Sequence, residues 1–193
     1  MIPAPELVTK LLQTFDRLSI PYAVGGSFAS SAWGQPRQTR DLDLGVVISL
    51  AQVTELANAT EGEFMLSRSD MEEVASGQAE FRSFQLLHWD ELFKIDVFAL
   101  NASDYTQELL ARRRAYLLGA GYMAQFLSPE DIVLTKLRWY VLGNRVSDRQ
   151  WNDIVQVLEA QWETFDFPYA DRWGEHFGVA DELQQAKDQV VLP

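Results

Sequence analysis

The stretch "YAVGGSFASSAWGQPRQTRDLDLGVV" (Tyr22 to Val47) decides the fold of this 193-residue chain. It opens on a short apolar run, "YAV", which indicates a buried strand. Gly25 and Gly26 then allow a tight turn, and "SFASSAW" is small and compatible with a helix. It closes in "LDLGVVI" (residues 42–48), which alternates at first and then becomes wholly apolar, as a central strand does. The stretch therefore predicts strand, turn, helix and strand in that order.

The rest of the chain extends this α/β pattern and then changes character. Apolar spacing predicts helices over 5–20, 49–59 and 103–113, strands over 80–87 and 93–100, and two short strands within 115–127 that meet at 119–121. From Ser128 onward the signals are helical, over 128–142, 146–161 and once or twice more after Pro168. We predict an α/β (α+β) fold, with a mixed sheet flanked by helices in residues 1–127 and a helical part, residues 128–193, packed on it.

Composition narrows the classes of function. The chain has no cysteine, which excludes thiol catalysis and thiolate metal sites and fits a reducing cytoplasm. It has no stretch typical of a membrane span or a cleavable signal, so we expect a cytoplasmic protein without membrane contact. A net charge of −12 means that a polyanionic partner needs a local basic patch or bridging metal ions.

Asp41 and Asp43 stand one residue apart in the second predicted strand. Residues i and i+2 of a strand point to the same face, so the two carboxylates project together and repel each other. A hard divalent ion such as Mg²⁺ neutralises such a pair and leaves room for phosphate oxygens. Taken alone, the spacing more often has a structural or solvent-facing explanation.

Two other features strengthen the metal hypothesis. The "VGGS" turn lies between a strand and a helix, where backbone N–H groups, the helix N-terminus and Ser27 can receive a phosphate. Asp96 is an acid among apolar residues in another predicted strand, and an isolated buried carboxylate there is costly unless it shares a metal site. Phosphoryl transfer with two metals needs a third carboxylate of this kind.

These residues resemble the nucleotidyltransferase fold shared with DNA polymerase beta. The resemblance depends on Gly25-Gly26-Ser27, on Asp41-Leu42-Asp43 and on the later acid Asp96. The segment "RQTRDLDLGV" further resembles the abortive-infection type IV toxin nucleotidyltransferases and related small uncharacterised members, as do "SPEDIVLTKL" and the helix start at Arg145, Asp148, Asp153 and Ile154.

The resemblance implies an NTP-dependent enzyme that transfers a nucleoside monophosphate to a hydroxyl and releases pyrophosphate, with Mg²⁺ or Mn²⁺ as cofactor. It implies metal binding and catalysis by Asp41, Asp43 and Asp96, with Lys136 as a further catalytic residue. It implies NTP binding by Gly25, Gly26, Ser27 and Arg40. The acceptor stays open between RNA, protein and a small hydroxylated molecule, and a toxin role with an antitoxin protein as partner is part of the same expectation. The alternative is a non-catalytic module that binds a nucleotide or a partner.

Several other residues are open to a structural interpretation. Lys136 is either a triphosphate contact or an ordinary surface lysine, and Arg37 is either a ligand contact or a counterion for the acid pair. Arg112 to Arg114 are expected to form a solvated helix end rather than an RNA patch. The six tryptophans are expected to belong to the core, and Asp148 and Asp153 to hold the second C-terminal helix against the α/β half.

Overall fold

The structure is a computed structural model, and it describes residues 6–39, 41–78 and 82–191. Its helices are α1 (Glu6–Arg17), α2 (Gly26–Trp33), α3 (Leu50–Ala59), α4 (Arg68–Ser76), α5 (Asp104–Ala111), α6 (Pro129–Leu142), α7 (Asp148–Gln161), α8 (Phe167–Phe177) and α9 (Ala180–Gln189). Its strands are β1 (Tyr22–Val24), β2 (Asp41–Val46), β3 (Phe64–Met65), β4 (Ser83–His88), β5 (Lys94–Ala99), β6 (Arg114–Leu117) and β7 (Met123–Phe126). Short 3₁₀ turns lie at Gly119–Gly121 and Trp162–Thr164.

The strands form one mixed sheet in the order β3-β4-β5-β2-β1-β7-β6. β2 is central, antiparallel to β1 and parallel to β5, in a register that sets Asp43 beside Asp96. This confirms the predicted α/β class with a mixed sheet and flanking helices. Within the described ranges, no helix is long and apolar enough to cross a membrane.

The local sequence explains the elements that frame the site. In β2 the side chains of Leu42, Leu44 and Val46 are fully buried, and the intervening positions face the other side of the sheet. Helix α2 packs against this strand and against α6 and α7. Helix α6 begins at Ser128, whose side chain accepts a hydrogen bond from the N–H of Asp131, with Pro129 in its first turn.

Two elements were not predicted from the sequence. β3 has only two residues, and α4 buries only Met71 and Val74 along its length. Neither offers enough apolar residues to set a period, and α4 is recognisable mainly from its ends: the Ser67 hydroxyl caps its N-terminus and Gly77 ends it in a left-handed conformation. The boundary between residues 127 and 128 coincides with the step from β7 to α6, and its role as a domain boundary stays a prediction.

The prediction that the three consecutive arginines form a solvated helix end is wrong. Arg112 forms ion pairs with Asp166 at 2.9 Å and with the fully buried Glu130 at 3.4 Å. Arg113 donates to the backbone carbonyl of Tyr22 at 2.6 Å, and Arg114 begins β6 and lies 3.7 Å from Glu130. Arg112 and Arg114 connect the α/β half to the helical part, because the buried Glu130 there needs cationic partners, whereas Arg113 holds the end of α5 against β1.

Candidate active site

The turn between β1 and α2 fits around β2 through two adjacent glycines. The N–H of Gly25 donates to the carbonyl of Asp43 at 2.8 Å, which fixes the turn on the strand. Gly26 has φ +53°, and a Cβ placed there would lie 1.7 Å from the Oδ2 of Asp43. A side chain at position 26 and the carboxylate of Asp43 therefore exclude each other, which gives the second glycine a stricter role than turn flexibility.

Helix α2 starts directly after this turn and leaves its first N–H groups facing the same side. Its N-cap residue, Gly25, offers no side-chain acceptor to them. Uncapped N–H groups and the positive end of the helix dipole favour an anion at this position. The hydroxyl of Ser27, in the first turn, accepts a hydrogen bond from the guanidinium of Arg37.

Of the three predicted metal ligands, Asp43 has the least favourable environment for a negative charge. Its carboxylate has no hydrogen bond or ion pair with any described residue, although it is largely buried. Burial, and then the negative charges of Asp41 and Asp96, raise its pKa from 3.8 to about 6. A carboxylate that is desolvated and repelled by two others is suited to a cation, so the donor chemistry at this position fits a divalent ion.

The other two carboxylates are held by protein partners. Asp41 accepts a hydrogen bond from the Thr39 hydroxyl at 2.6 Å. Asp96 accepts from Gln85 at 2.7 Å and forms an ion pair with Lys94 at 2.6 Å. As they lie, no three acidic or imidazole groups among residues 6–39, 41–78 and 82–191 form a ready cage for a metal ion.

Because its ammonium group is paired with Asp96, Lys94 competes with a metal ion for that carboxylate. Its hydrogen bond with Asp96 is the main cause that raises the pKa of this lysine. We expect Lys94→Met to release Asp96 and to tighten Mn²⁺ binding about tenfold, because one positive charge leaves a cluster of three carboxylates. Isothermal titration with Mn²⁺ measures this, and Lys10→Met, which removes an exposed ion-paired lysine on α1, is the control. Weaker Mn²⁺ binding in Lys94→Met would contradict the competition.

Lys136, Arg37 and Asp153 form a charged bridge beside the turn. Lys136 on α6 donates to the Oδ2 of Asp153 on α7 at 2.8 Å, and Arg37 reaches the same oxygen at 2.8 Å. Both Lys136 and Asp153 are buried, so the interpretation of Lys136 as an ordinary surface lysine is wrong. Burial alone would raise the pKa of Asp153, but the hydrogen bonds and charges of Arg37 and Lys136 outweigh burial and hold its pKa below the ordinary value.

We expect Asp153→Ala to lower the free energy of unfolding by about 3 kcal/mol, because it leaves a buried lysine without its counterion. Urea denaturation at neutral pH measures this loss. The control is Asp148→Ala on the same helix, where the side chain is exposed and has no ion pair with any described residue. The pairing at Asp153 stabilises the protein above the ordinary carboxyl pKa and is lost as pH falls through its lowered pKa. Similar losses in the two variants would contradict the bridge.

A cleft of about 750 Å³ brings these groups together between the sheet and helices α6 and α7. Its volume lies in the range of small-molecule sites. Of the predicted site residues it is lined by Gly25, Gly26, Ser27, Asp41, Asp43 and Lys136, together with Arg37 and Asp153. Asp96 is adjacent in the sheet but is not part of the lining, and Arg40 lies outside the described residues.

Several lining residues were missed or misassigned from the sequence. The cleft also includes Arg82 and Ser83 at the start of β4, Phe98 on β5, Trp139 on α6 and Arg149 on α7. Trp139 is 50% exposed and Trp89 is 51% exposed, so the assignment of all six tryptophans to the core is wrong for these two. Only the three-residue step from Lys136 to Trp139 along one helix face could have linked this tryptophan to the site in advance.

Comparison with solved structures identifies the fold. ANT(2'')-Ia, in complex with adenylyl-2''-tobramycin, superposes with a TM-score of 0.61 at 16% identity, over 90% of this chain and 95% of that one. The lincosamide antibiotic adenylyltransferase LnuA, bound to lincomycin, gives 0.53 at 12% identity, over 81% and 98%. An antigenic nucleotidyltransferase-like protein from Paracoccidioides brasiliensis gives 0.54 at 17% identity, over 97% and 93%. The chain therefore has a nucleotidyltransferase fold, as the sequence resemblance predicts.

Searches by sequence give no match, either to a protein-family model or to a curated protein. At these low identities the structural likeness establishes the fold alone. Proposals about the activity, the acceptor and the biological role therefore have to be argued from the residues of the cleft.

Proposed function

We propose that the protein is a metal-dependent nucleotidyltransferase that transfers a nucleoside monophosphate from an NTP to a hydroxyl group. The observation that carries this proposal is the packing of Gly26 against the unpaired carboxylate of Asp43. That contact sets a helix N-terminus, suited to phosphate, against a carboxylate, suited to a cation, inside one cleft.

The reaction assigns a task to each group. The acceptor hydroxyl oxygen forms a bond to the α-phosphorus, the bond from that phosphorus to the α–β bridging oxygen breaks, and pyrophosphate leaves with its electron pair. The uncapped N–H groups of α2 and the Ser27 hydroxyl bind the tail phosphates, and Gly25 and Arg40 complete the proposed nucleotide contacts. Arg37 contacts Ser27, Lys136 lines the same cleft, and the two cations offset the negative charge of the leaving group.

The carboxylates of Asp41, Asp43 and Asp96 would hold Mg²⁺ or Mn²⁺. When bound, such an ion stabilises charge on the phosphate oxygens and lowers the pKa of the attacking hydroxyl. We assign to Asp96 the receipt of the hydroxyl proton, and its side chain would have to leave Lys94 to do so.

Incubation of the protein with each α-³²P-labelled NTP, Mg²⁺ and total cell extract tests the proposal. We expect label in one of three fractions, RNA, protein or small molecules, and none with EDTA. The labelled fraction also identifies the acceptor, and adding tobramycin and lincomycin to separate reactions tests the substrates named for the structural neighbours.

One observation favours the alternative of a non-catalytic nucleotide-binding module. Asp96 is engaged by Lys94 and Gln85 and does not line the cleft. In that case the protein would bind NTP with Mg²⁺, seen as a rise in melting temperature, and transfer no label to any fraction.

A toxin role, an antitoxin partner and a cytoplasmic location stay predictions of the sequence resemblance. The structural neighbours described above are ANT(2'')-Ia, the lincosamide antibiotic adenylyltransferase LnuA and an antigenic nucleotidyltransferase-like protein, and they give no support for an antitoxin. Induced expression in a bacterial host, with Asp43→Asn as the inactive control, tests the toxin role by growth arrest.

A further inference from the structure

One wall of the cleft is aromatic and has no assigned task. Phe98 on β5 and Trp139 on α6 lie against each other, with ring centroids 6.2 Å apart. Trp139 nevertheless keeps half of its surface exposed, and both rings line the cleft. A large ring that is packed on one side and open on the other offers a surface for stacking a flat group.

This wall lies next to the acids. Trp139 follows Lys136 by three residues on α6, which sets the two side chains on the same helix face about one turn apart. Phe98 follows Asp96 by two residues on β5, so both point to the same side of the sheet, and it pairs in register with Gly45 of β2. A group stacked on Trp139 and Phe98 would therefore lie beside the Gly45–Phe98 pair, which is the next pair on this face of the sheet after Asp43–Asp96.

The order of the strands assigns the wall to the acceptor rather than to the leaving group. The Gly25-Gly26 turn follows β1, on one side of β2, whereas Phe98 and Ser83 lie on β5 and β4, on the other side. In phosphoryl transfer the attacking and leaving oxygens are roughly in line. With pyrophosphate at the N-terminus of α2, the acceptor hydroxyl therefore approaches from the β5–β4 side.

The charges around this part of the cleft favour an anionic acceptor. Arg82, Arg138 and Arg149 all line the cleft, and none forms an ion pair with a carboxylate of the described residues. Arg138 lies over the ring of Phe177 at 4.2 Å. Three cations without such partners in a chain of net charge −12 concentrate positive potential where a negative group can use it.

We infer that Phe98, Trp139 and Arg82 form the acceptor subsite, and that it takes a flat ring joined to a phosphate, as in a nucleotide unit, in preference to a polyamine. This inference rests on the proposed function for the identity of the transferred group. It adds the side of approach, the chemistry of the acceptor and the residues that select it.

The test measures binding of three probes by isothermal titration: the trinucleotide ApApA, AMP and tobramycin, which carries several amino groups. Each titration is run with Mg²⁺, with and without an NTP whose α–β bridging oxygen is replaced by methylene. Trp139→Ala is compared with Trp89→Ala, an equally exposed tryptophan that does not line the cleft. Arg82→Gln is compared with Arg68→Gln, since both arginines donate to an asparagine side chain.

We expect at least one of the two nucleotide probes to bind and Trp139→Ala to weaken that binding about tenfold, with no change in Trp89→Ala. Arg82→Gln should reduce the salt dependence of ApApA binding by about 0.7, the contribution of one phosphate contact on a single strand. Affinity for ApApA alone would identify a strand end as the source of the nucleotide unit, and affinity for AMP alone a free nucleotide. Melting curves check that each variant is folded.

Three results would overturn the inference: tobramycin binds and neither nucleotide does, the two tryptophan variants behave alike, or Trp139→Ala weakens the NTP analogue instead of the probes. Failure of the proposed function is a different result. The analogue would then not bind, while the titrations without it would still show whether Trp139 and Trp89 differ.

Discussion

Asp43→Asn should reduce nucleotidyl transfer at least a thousandfold and, in the absence of divalent ions, make the protein more stable. The loss of activity follows from removing the charge of a proposed metal ligand at the point where the carboxylates meet the phosphates. A thousandfold loss corresponds to about 4 kcal/mol of transition-state stabilisation. Label transfer from α-³²P-NTP measures it.

The gain in stability follows from the environment of Asp43. Its pKa is raised from 3.8 to about 6 by burial and by the neighbouring charges of Asp41 and Asp96. Ionising this carboxylate in the folded protein therefore costs at most about 3 kcal/mol relative to the unfolded chain. The asparagine side chain has a similar shape and avoids this cost at neutral pH.

The direction of the pH effect distinguishes this explanation from a general packing effect. Between the ordinary pKa and the raised one the folded state binds more protons than the unfolded state, so stability falls as pH rises. The wild-type protein in EDTA should lose stability relative to Asp43→Asn between pH 3.8 and about 6, and the difference should be constant above that. At lower pH the two proteins should converge.

The control is Asp90→Asn, where the aspartate lies exposed in the β4–β5 turn. It should leave transfer and the pH profile unchanged. Near-normal transfer by Asp43→Asn, measured on folded protein, would exclude the metal-dependent mechanism proposed for these carboxylates.

The sequence was informative where one local pattern fixes both structure and chemistry. In β2 the alternation of apolar and polar residues predicts a strand with both acids on one face, and the structure confirms the strand and the burial of Leu42 and Leu44. Strand pairing brings Asp43 beside Asp96, which the sequence could propose because an acid in an apolar strand needs a partner.

Contacts between distant segments were not predictable in the same way. Nothing local shows that Asp153 on α7 receives both Arg37 and Lys136, or that Arg112 reaches Glu130. The exposure of Trp139 depends on how α6 packs among α2, α7 and α8, and the sequence of one helix does not show this. The toxin resemblance and the nucleotide contact at Arg40 stay predictions.

Gly26→Ala should abolish both NTP binding and divalent-ion binding, and it should destabilise the fold. From the sequence, the turn predicts only that phosphate approaches the backbone closely, so a side chain there would block the NTP and spare the metal. The structure changes this expectation, because the new Cβ would lie 1.7 Å from the Oδ2 of Asp43 and 2.5 Å from its Cγ. Either the turn or the carboxylate has to move, and each movement separates the phosphate contacts from the proposed metal ligand.

The control for backbone strain is Gly77→Ala at the end of α4. Gly77 has φ +76°, also in the left-handed region, and nothing lies within 4 Å of the Cβ that would be added. That variant should lose only about 1–2 kcal/mol, the cost of a left-handed alanine. Gly26→Ala should lose more stability than Gly77→Ala, because it adds the clash with Asp43.

Combining Gly26→Ala with Asp43→Gly removes the colliding side chain, so the excess loss of stability should disappear in the double variant. Gly26→Ala could instead match Gly77→Ala in stability and retain Mn²⁺ binding. The turn and the carboxylate of Asp43 would then be independent, and the Gly26–Asp43 contact would no longer support the proposed function.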